Sequence, residues 1–328
     1  MNENRKFEGR EELFEEEEFG RLVVFSKNLG DDSRETASGF KNNTIFEESY
    51  PQSFGNYQLK RLLGEDRLGR TFLSRQKDIE AELVVKKIHS AFVRKFTLED
   101  FEAKTRKFHR DSIEAVLVAP ELVIPVVEVG DVDGHYFYAM DFVDGKSLAR
   151  ITHSSAFSNR LSAEVVKTVA DSIHKLHRAG IFMGNIQPTN IILDCQRRPR
   201  LLEASLAFSD LQLDAANGLD NAFKAPELTS KSDITEAAEV WSLGATLYNC
   251  LVGEPPGANI VAPRKRNPKV AKDLETICLK CLQPKPAQRY ESAAALAEDL
   301  ALFLEYQPIK TSPYGLVAKL VKGISKLA

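Results

Sequence analysis

The sequence predicts an α+β chain in which a strand-rich part precedes a helical part, and three observations lead there. From Tyr57 onward the chain runs in short segments rich in apolar residues and broken by glycine turns, the texture of strands. After Lys146 the spacing becomes helical: Leu161 to Ala179 sets Val165, Val166, Val169, Ile173 and Leu176 on one face. The 328 residues, 43% hydrophobic and 28% charged, leave room for a tail plus one two-lobed domain or two small ones with a sizeable core. Lys and Arg number 44 against 47 Asp and Glu, net −3, so nothing global points to nucleic acid. Four cysteines are too sparse for a disulfide scaffold and suit a reducing compartment. The acidic N-terminus lacks the apolar core of a signal peptide, and no apolar run approaches the ~18 residues of a spanning helix. A cytoplasmic location is expected.

Residues 1–55 read as an acidic, polar tail. Its first twenty residues hold eight Glu against three Lys or Arg, with Glu15 to Glu18 bracketed by Phe14 and Phe19. Such a segment buries too little apolar surface to offset its ordering entropy. A docking motif for a basic partner is the sharper alternative. YQLKRLLGEDRLGRTFLSRQ then reads as strand, glycine turn, strand, and AELVVKKIH as a third strand. Glycine-rich loops cradle phosphate because bare backbone approaches the oxygens closely and offers N–H groups. Between Gly64 and Gly69, however, Asp66 brings a Cβ and a negative charge toward the place a phosphate held by such a loop would lie. At 4–5 Å and an effective dielectric near 20, that repulsion is roughly 3–4 kcal/mol. A plain hairpin turn explains the motif almost as well.

Phe96 to Val118 reads as a long, irregular helical region, and VIPVVEVG and HYFYAMDFVDG as two further strands. His174 and His177 lie three apart on the next helix, a spacing a metal can use, but with no acidic or thiol partner nearby in sequence they read as surface or packed histidines. Cys278 and Cys281 sit two residues apart inside a late helix; without a second thiol or histidine pair they read as core packing rather than zinc. From Tyr314 to Ala328, Lys319, Lys322 and Lys326 take one side and Leu316, Val317, Leu320, Val321, Ile324 and Leu327 the other. That basic amphipathic helix suits docking on its own helical lobe or a partner protein, or lying on an anionic membrane surface.

The central stretch is Ile181 to Asp194, IFMGNIQPTNIILD. Met183, Gly184, Asn185 and Asn190 fall where the pattern H-R-D-x-x-x-x-N of a protein kinase keeps its catalytic loop. Val84-Val85-Lys86 falls at the V-A-I-K strand, Glu203-Ala204-Ser205 at D-F-G, and Ala225-Pro226-Glu227 at A-P-E, with nineteen residues between the last two triplets. From about 57 to 308 the chain thus resembles a bacterial Hanks-type serine/threonine protein kinase. The resemblance implies a two-lobed kinase-like fold, with a tail over 1–55, a β-rich N-lobe and hinge over 56–143, a helical C-lobe over 144–308 and a terminal helix over 309–328. It implies a nucleotide-contacting set of Gly64, Gly69, Val84, Lys86, Met140 at the gatekeeper, Val143 in the hinge and Ile192, and a metal pair of Asn190 and Glu203. It also implies that Glu102, Asp111 or Glu114 pairs with Lys86, and that Arg289 pairs with Glu227.

The departures from the family cluster where the reaction occurs. Asn185 replaces the carboxylate that accepts the substrate proton; an amide orients a hydroxyl but takes no proton at neutral pH, and general-base help is typically worth about 10²–10⁴-fold. Gln187 replaces the Lys that neutralises the γ-phosphate. Glu203 is one methylene longer than the metal-holding Asp, a displacement of about 1 Å that can cost on the order of 10²-fold. Ala204 removes a packing Phe, Gly184 an Arg that clamps a phosphorylated loop, and Met183 replaces a His. Asp220 stands where the family usually has a Thr, and Glu239 where it keeps a structural Asp. Ala225, Pro226, Glu227, Trp241, Gly244 and Arg289, which hold the lobe, persist. The pattern resembles a pseudokinase: a regulatory or scaffolding module for protein partners, with ATP binding weakened and Mg2+ or Mn2+ entering only with nucleotide. The alternative is an active atypical serine/threonine kinase in which Lys86, Asn190 and Glu203 still hold the metal-nucleotide. A third reading keeps ATP as a switch of lobe arrangement without transfer.

Overall fold

Six strands make the main sheet, and the order in which they pair follows from short turns between apolar-alternating segments. In the computed structural model, which describes residues 50–66, 68–77, 81–152, 157–202, 222–228 and 234–311, β1 (Gln52–Phe54), β2 (Tyr57–Glu65), β3 (Gly69–Gln76) and β4 (Glu82–Ile88) pair antiparallel in sequence. With β5 (Val126–Val132) and β6 (His135–Asp141) the sheet order is β1-β2-β3-β4-β6-β5. The acidic segment through residue 49, the positions 203–221 and the basic helix expected beyond 313 lie outside the described residues.

Sequence reading placed Gln52–Phe54 in the tail; here it is the edge strand. Its Phe54 is buried and meets the Phe137 ring edge-on at 5.4 Å, which gives three polar-looking residues an apolar anchor. In β2, Tyr57 and Leu59 turn inward while Gln58 stays exposed. Two register shifts in β2, at Leu59/Arg61 and Leu62/Gly64, slide its glycine end along β3. The result is a row across three strands, with Gly64 opposite Thr71 and Thr71 opposite Lys86. Gly69 must lack a side chain for a structural reason, since a Cβ there would collide with the Lys87 carbonyl on β4.

The described residues divide into two compact units, one of residues up to 95 with 130–137, the other of 96–129 with 138–311. A short turn, α1 (Ser90–Val93), precedes α2 (Leu98–Val118), a continuous helix rather than the irregular region expected. Thr97 caps α2 by accepting the Asp100 amide, and Glu99 and Asp100 complement the helix dipole in its first turn. Ala115 and the following Ala119, Leu122 and Val123 join the core of the second unit, which is why α2 belongs there.

That second core is built around α4 (Asn159–Arg178) and α5 (Glu236–Val252), after β7 (Gly145–Ser147) and α3 (Leu148–Thr152). Ser158 and Thr235 cap the two long helices, accepting the Leu161 and Ala238 amides. α5 is buried from Ala238 to Leu251, as an interior helix must be when apolar on every side. It stops at Gly253, which takes φ 88° and donates its amide to the Asn249 carbonyl. β8 (Ile191–Asp194) pairs with β7 and β9 (Pro199–Leu201) in a small antiparallel sheet. A short turn, α6 (Pro263–Arg266), leads to α7 (Lys272–Cys281), and α8 (Ala293–Leu304) follows. Cys250, Cys278 and Cys281 are buried free thiols, with burial pushing all three far above the ordinary thiol range. Cys278 donates to the Gly244 carbonyl, and a Cβ on Gly244 would strike Cys281, so the pair packs α7 against α5. No helix among the described residues is long and apolar enough to cross a membrane.

Candidate functional site

The strand unit carries the glycine loop and Lys86. Lys86 sits inward on β4 with its side chain 9% exposed. The carboxylate on it is Asp66: Asp66 Oδ2 receives the Lys86 ammonium, while Oδ1 accepts the Leu68 amide at 2.9 Å and the Gly69 amide at 3.0 Å. The Asp66 amide in turn donates to the Gly69 carbonyl at 2.9 Å, closing the turn. The three-strand row explains the contact, because Gly64 lies level with Lys86 and Asp66 follows two residues on. Of the acids weighed for Lys86, Glu102 pairs with Arg106, and Asp111 with Lys107 and Arg110, on their own helix. Gly64 and Val84 are buried in β2 and β4.

The helical unit carries the stretch around Asn185. Met183 and Ile186 fill its core, so a buried thioether stands where a histidine was expected by resemblance. Gly184 takes φ 69°, and a Cβ there would collide with Ile234; both facts select glycine. Its amide donates to Glu239 Oε1, and Glu239 Oε2 meets His177 Nε2 at 2.6 Å in a site where both side chains are almost fully buried. The Asn190 side-chain amide donates to the Asn185 carbonyl at 3.1 Å and its backbone N–H to the Gln187 carbonyl at 3.0 Å. The Ala149 and Leu202 amides donate to Pro188 and Asn190 carbonyls at 3.0 and 2.8 Å. The loop is therefore tied down at both ends. Gln187 is buried, 7% exposed, whereas Asn185 and Asn190 are partly open to solvent.

Met140 is buried at the end of β6, and Val143 and Ile192 are half-buried. Of the metal pair that the resemblance implies, Asn190 is described, whereas Glu203 lies outside the described residues, as do Ala204, Ser205 and Asp220. Among the described residues no group of three or more His, Cys, Asp or Glu converges as a metal site. His177 is the buried partner of Glu239, a contact across 62 residues that no local pattern announces.

Arg289 locks the end of the segment before α5. Its side chain is fully buried and gives both Nη atoms to Glu227, each at 2.6 Å. Further N–H groups reach the Ala237, Gln283 and Pro284 carbonyls, and the guanidinium lies 5.0 Å from the Trp241 ring. Burial alone would raise the Glu227 carboxyl, but the Arg289 hydrogen bonds and charge outweigh it and hold the group below its usual range.

Comparison with known proteins gives this arrangement a family. The family model described as protein kinase domain matches residues 57–304. Serine/threonine-protein kinase PknB of Mycobacterium leprae is 23% identical over 285 residues, 79% of this chain and 44% of that protein. Serine/threonine-protein kinase PknH of Mycobacterium bovis is 25% identical over 264 residues, 74% of this chain and 43% of that protein. The chain spans less than half the length of these relatives. The crystal structure of the Mycobacterium tuberculosis PknI kinase domain superposes with a TM-score of 0.62 at 20% identity, covering 79% of this chain and 99% of that one, a likeness of fold.

Proposed function

Because the chain belongs to the protein kinase family, we propose that it is a pseudokinase, a kinase-fold module that binds and regulates protein partners and has lost phosphoryl transfer. The observation that carries this reading is the catalytic-position loop. Its backbone is held by Asn190, Pro188 and Glu239, yet the side chain offered at the proton-accepting position is the amide of Asn185. A loop fixed in place without a base orients a hydroxyl and leaves its proton on it. Gln187 supports the same reading. It is neutral and buried, where a γ-phosphate needs a cation presented to it.

The family uses a nucleotide with Mg2+ or Mn2+. On the strand side the residues do not fit a triphosphate as they stand, since Lys86 and the loop amides already hold Asp66. Protein partners are the ligand class that remains for the fold.

The test is label transfer from MgATP or MnATP to generic protein substrates, with the Lys86→Ala protein as the blank. The expected result is no transfer above that blank. Transfer by the wild type that disappears in Lys86→Ala would end the reading and restore the active-kinase alternative.

A further inference from the structure

The carboxylate of Asp66 occupies a full set of anion donors. Two successive backbone amides, Leu68 and Gly69, converge on one oxygen, and the Lys86 ammonium holds the other. Converging amides beside a cation are the donor chemistry of a phosphate site. The two partners are unequal: the Lys86 side chain is 9% exposed and fixed on a strand, whereas the Asp66 side chain is 57% exposed on a turn. The cation is thus the permanent half of the site and the anion the replaceable half.

We propose that Asp66 is the residue that sets the ligand class of this loop. It is a built-in phosphate surrogate that satisfies Lys86 and the loop amides, and so turns polyphosphate away. The sequence suggests repulsion of a phosphate by a nearby charge; the geometry replaces this with substitution, in which the phosphate's own donors are taken. Removing the charge opens a polyanion site in the same place. The inference concerns what the glycine loop holds and stands apart from whether Asn185 supports transfer.

The experiment measures equilibrium binding of ATP and of tripolyphosphate, both without metal, by calorimetry and by thermal shift. It uses the wild-type chain, Asp66→Asn and Asp66→Gly. Asp66→Asn keeps the side chain's size and an acceptor oxygen while removing the charge, and Asp66→Gly removes the side chain. Two variants keep the test open if one folds poorly. Both substitutions are expected to raise affinity for each ligand at least tenfold, to make the melting temperature rise with tripolyphosphate, and to lose both gains when Lys86→Met is added. Equal affinity in wild type and both variants overturns the proposal, and so does the absence of binding in all three at millimolar ligand. Tripolyphosphate separates recognition of the phosphate tail from recognition of the base: a gain for ATP alone overturns the proposal too. Phosphotransfer by the wild type sinks the preceding reading, but the affinity ratio between wild type and variants is unaffected by it.

Discussion

Arg289–Glu227 in the helical unit and Lys86–Asp66 in the strand unit both join a buried cation to a carboxylate, and they are built in opposite ways. Arg289 spends its planar fork on both oxygens of Glu227 and its other N–H groups on three carbonyls, all in a site closed to solvent on the arginine side. Among the described residues Lys86 meets a carboxylate that is more than half exposed. A guanidinium with every donor satisfied fixes one geometry, whereas an ammonium is a point charge that exchanges one oxygen anion for another. The family's framework contact is made in the first way. The contact at the place the resemblance gives to a ligand is made in the second.

The largest expected effect breaks the first pair. Arg289→Ala takes the bidentate guanidinium from Glu227 and its N–H groups from three carbonyls, and should cost about 3–5 kcal/mol of folding stability in urea unfolding. A loss below about 1 kcal/mol would mean that the pair is ornamental and the contrast false. Next comes the other buried contact of the helical unit. Glu239→Ala strips the partner from His177 and the acceptor from the Gly184 amide, and should cost about 3 kcal/mol. Glu239→Asp, one methylene short, should recover only part of it in the same unfolding assay.

The sequence made much of this legible, and the misses have physical causes. The strands, the long helices and their order follow from apolar spacing and glycine turns, and the Arg289–Glu227 contact from the family resemblance. Asp66 was legible as a charge in a phosphate loop but not as the partner of Lys86. Their contact depends on which residues of β2, β3 and β4 stand level, and two register shifts in β2 decide that. Counting along the chain cannot supply a bulge. Glu102 and Asp111 pair with Arg106 and Lys107 four residues away on their own helix. Gly184, by contrast, was legible as a lost arginine, while its positive φ and the Ile234 methyl packed above it show what selected the glycine.

A smaller effect tests the first pair by pH. Arg289 holds the Glu227 carboxyl below its ordinary value of 4.5 in the folded chain, so the unfolded state binds the proton more readily. The stabilisation is then fully present above that value and is lost as pH falls below it toward the depressed folded value. Unfolding followed from pH 6 downward should show wild type losing stability faster than Glu227→Gln. Parallel curves for the two proteins would mean that the pair contributes nothing pH-dependent.

The smallest expected change sharpens the comparison most. Asp66→Asn removes the charge facing Lys86 and leaves a neutral oxygen that accepts the Leu68 and Gly69 amides until a phosphate displaces it, so without ligand the turn keeps its closure. The carboxylate is largely solvated, and exposed pairs of this kind are worth about 0–1 kcal/mol. Urea unfolding without ligand should therefore shift by no more than about 1 kcal/mol, several-fold less than for Arg289→Ala. A loss as large as that of Arg289→Ala would make Asp66 a framework residue like Glu227, holding the sheet together rather than standing in for a ligand. A small loss in buffer, set beside a large gain in tripolyphosphate affinity, is the pattern that only a replaceable anion produces.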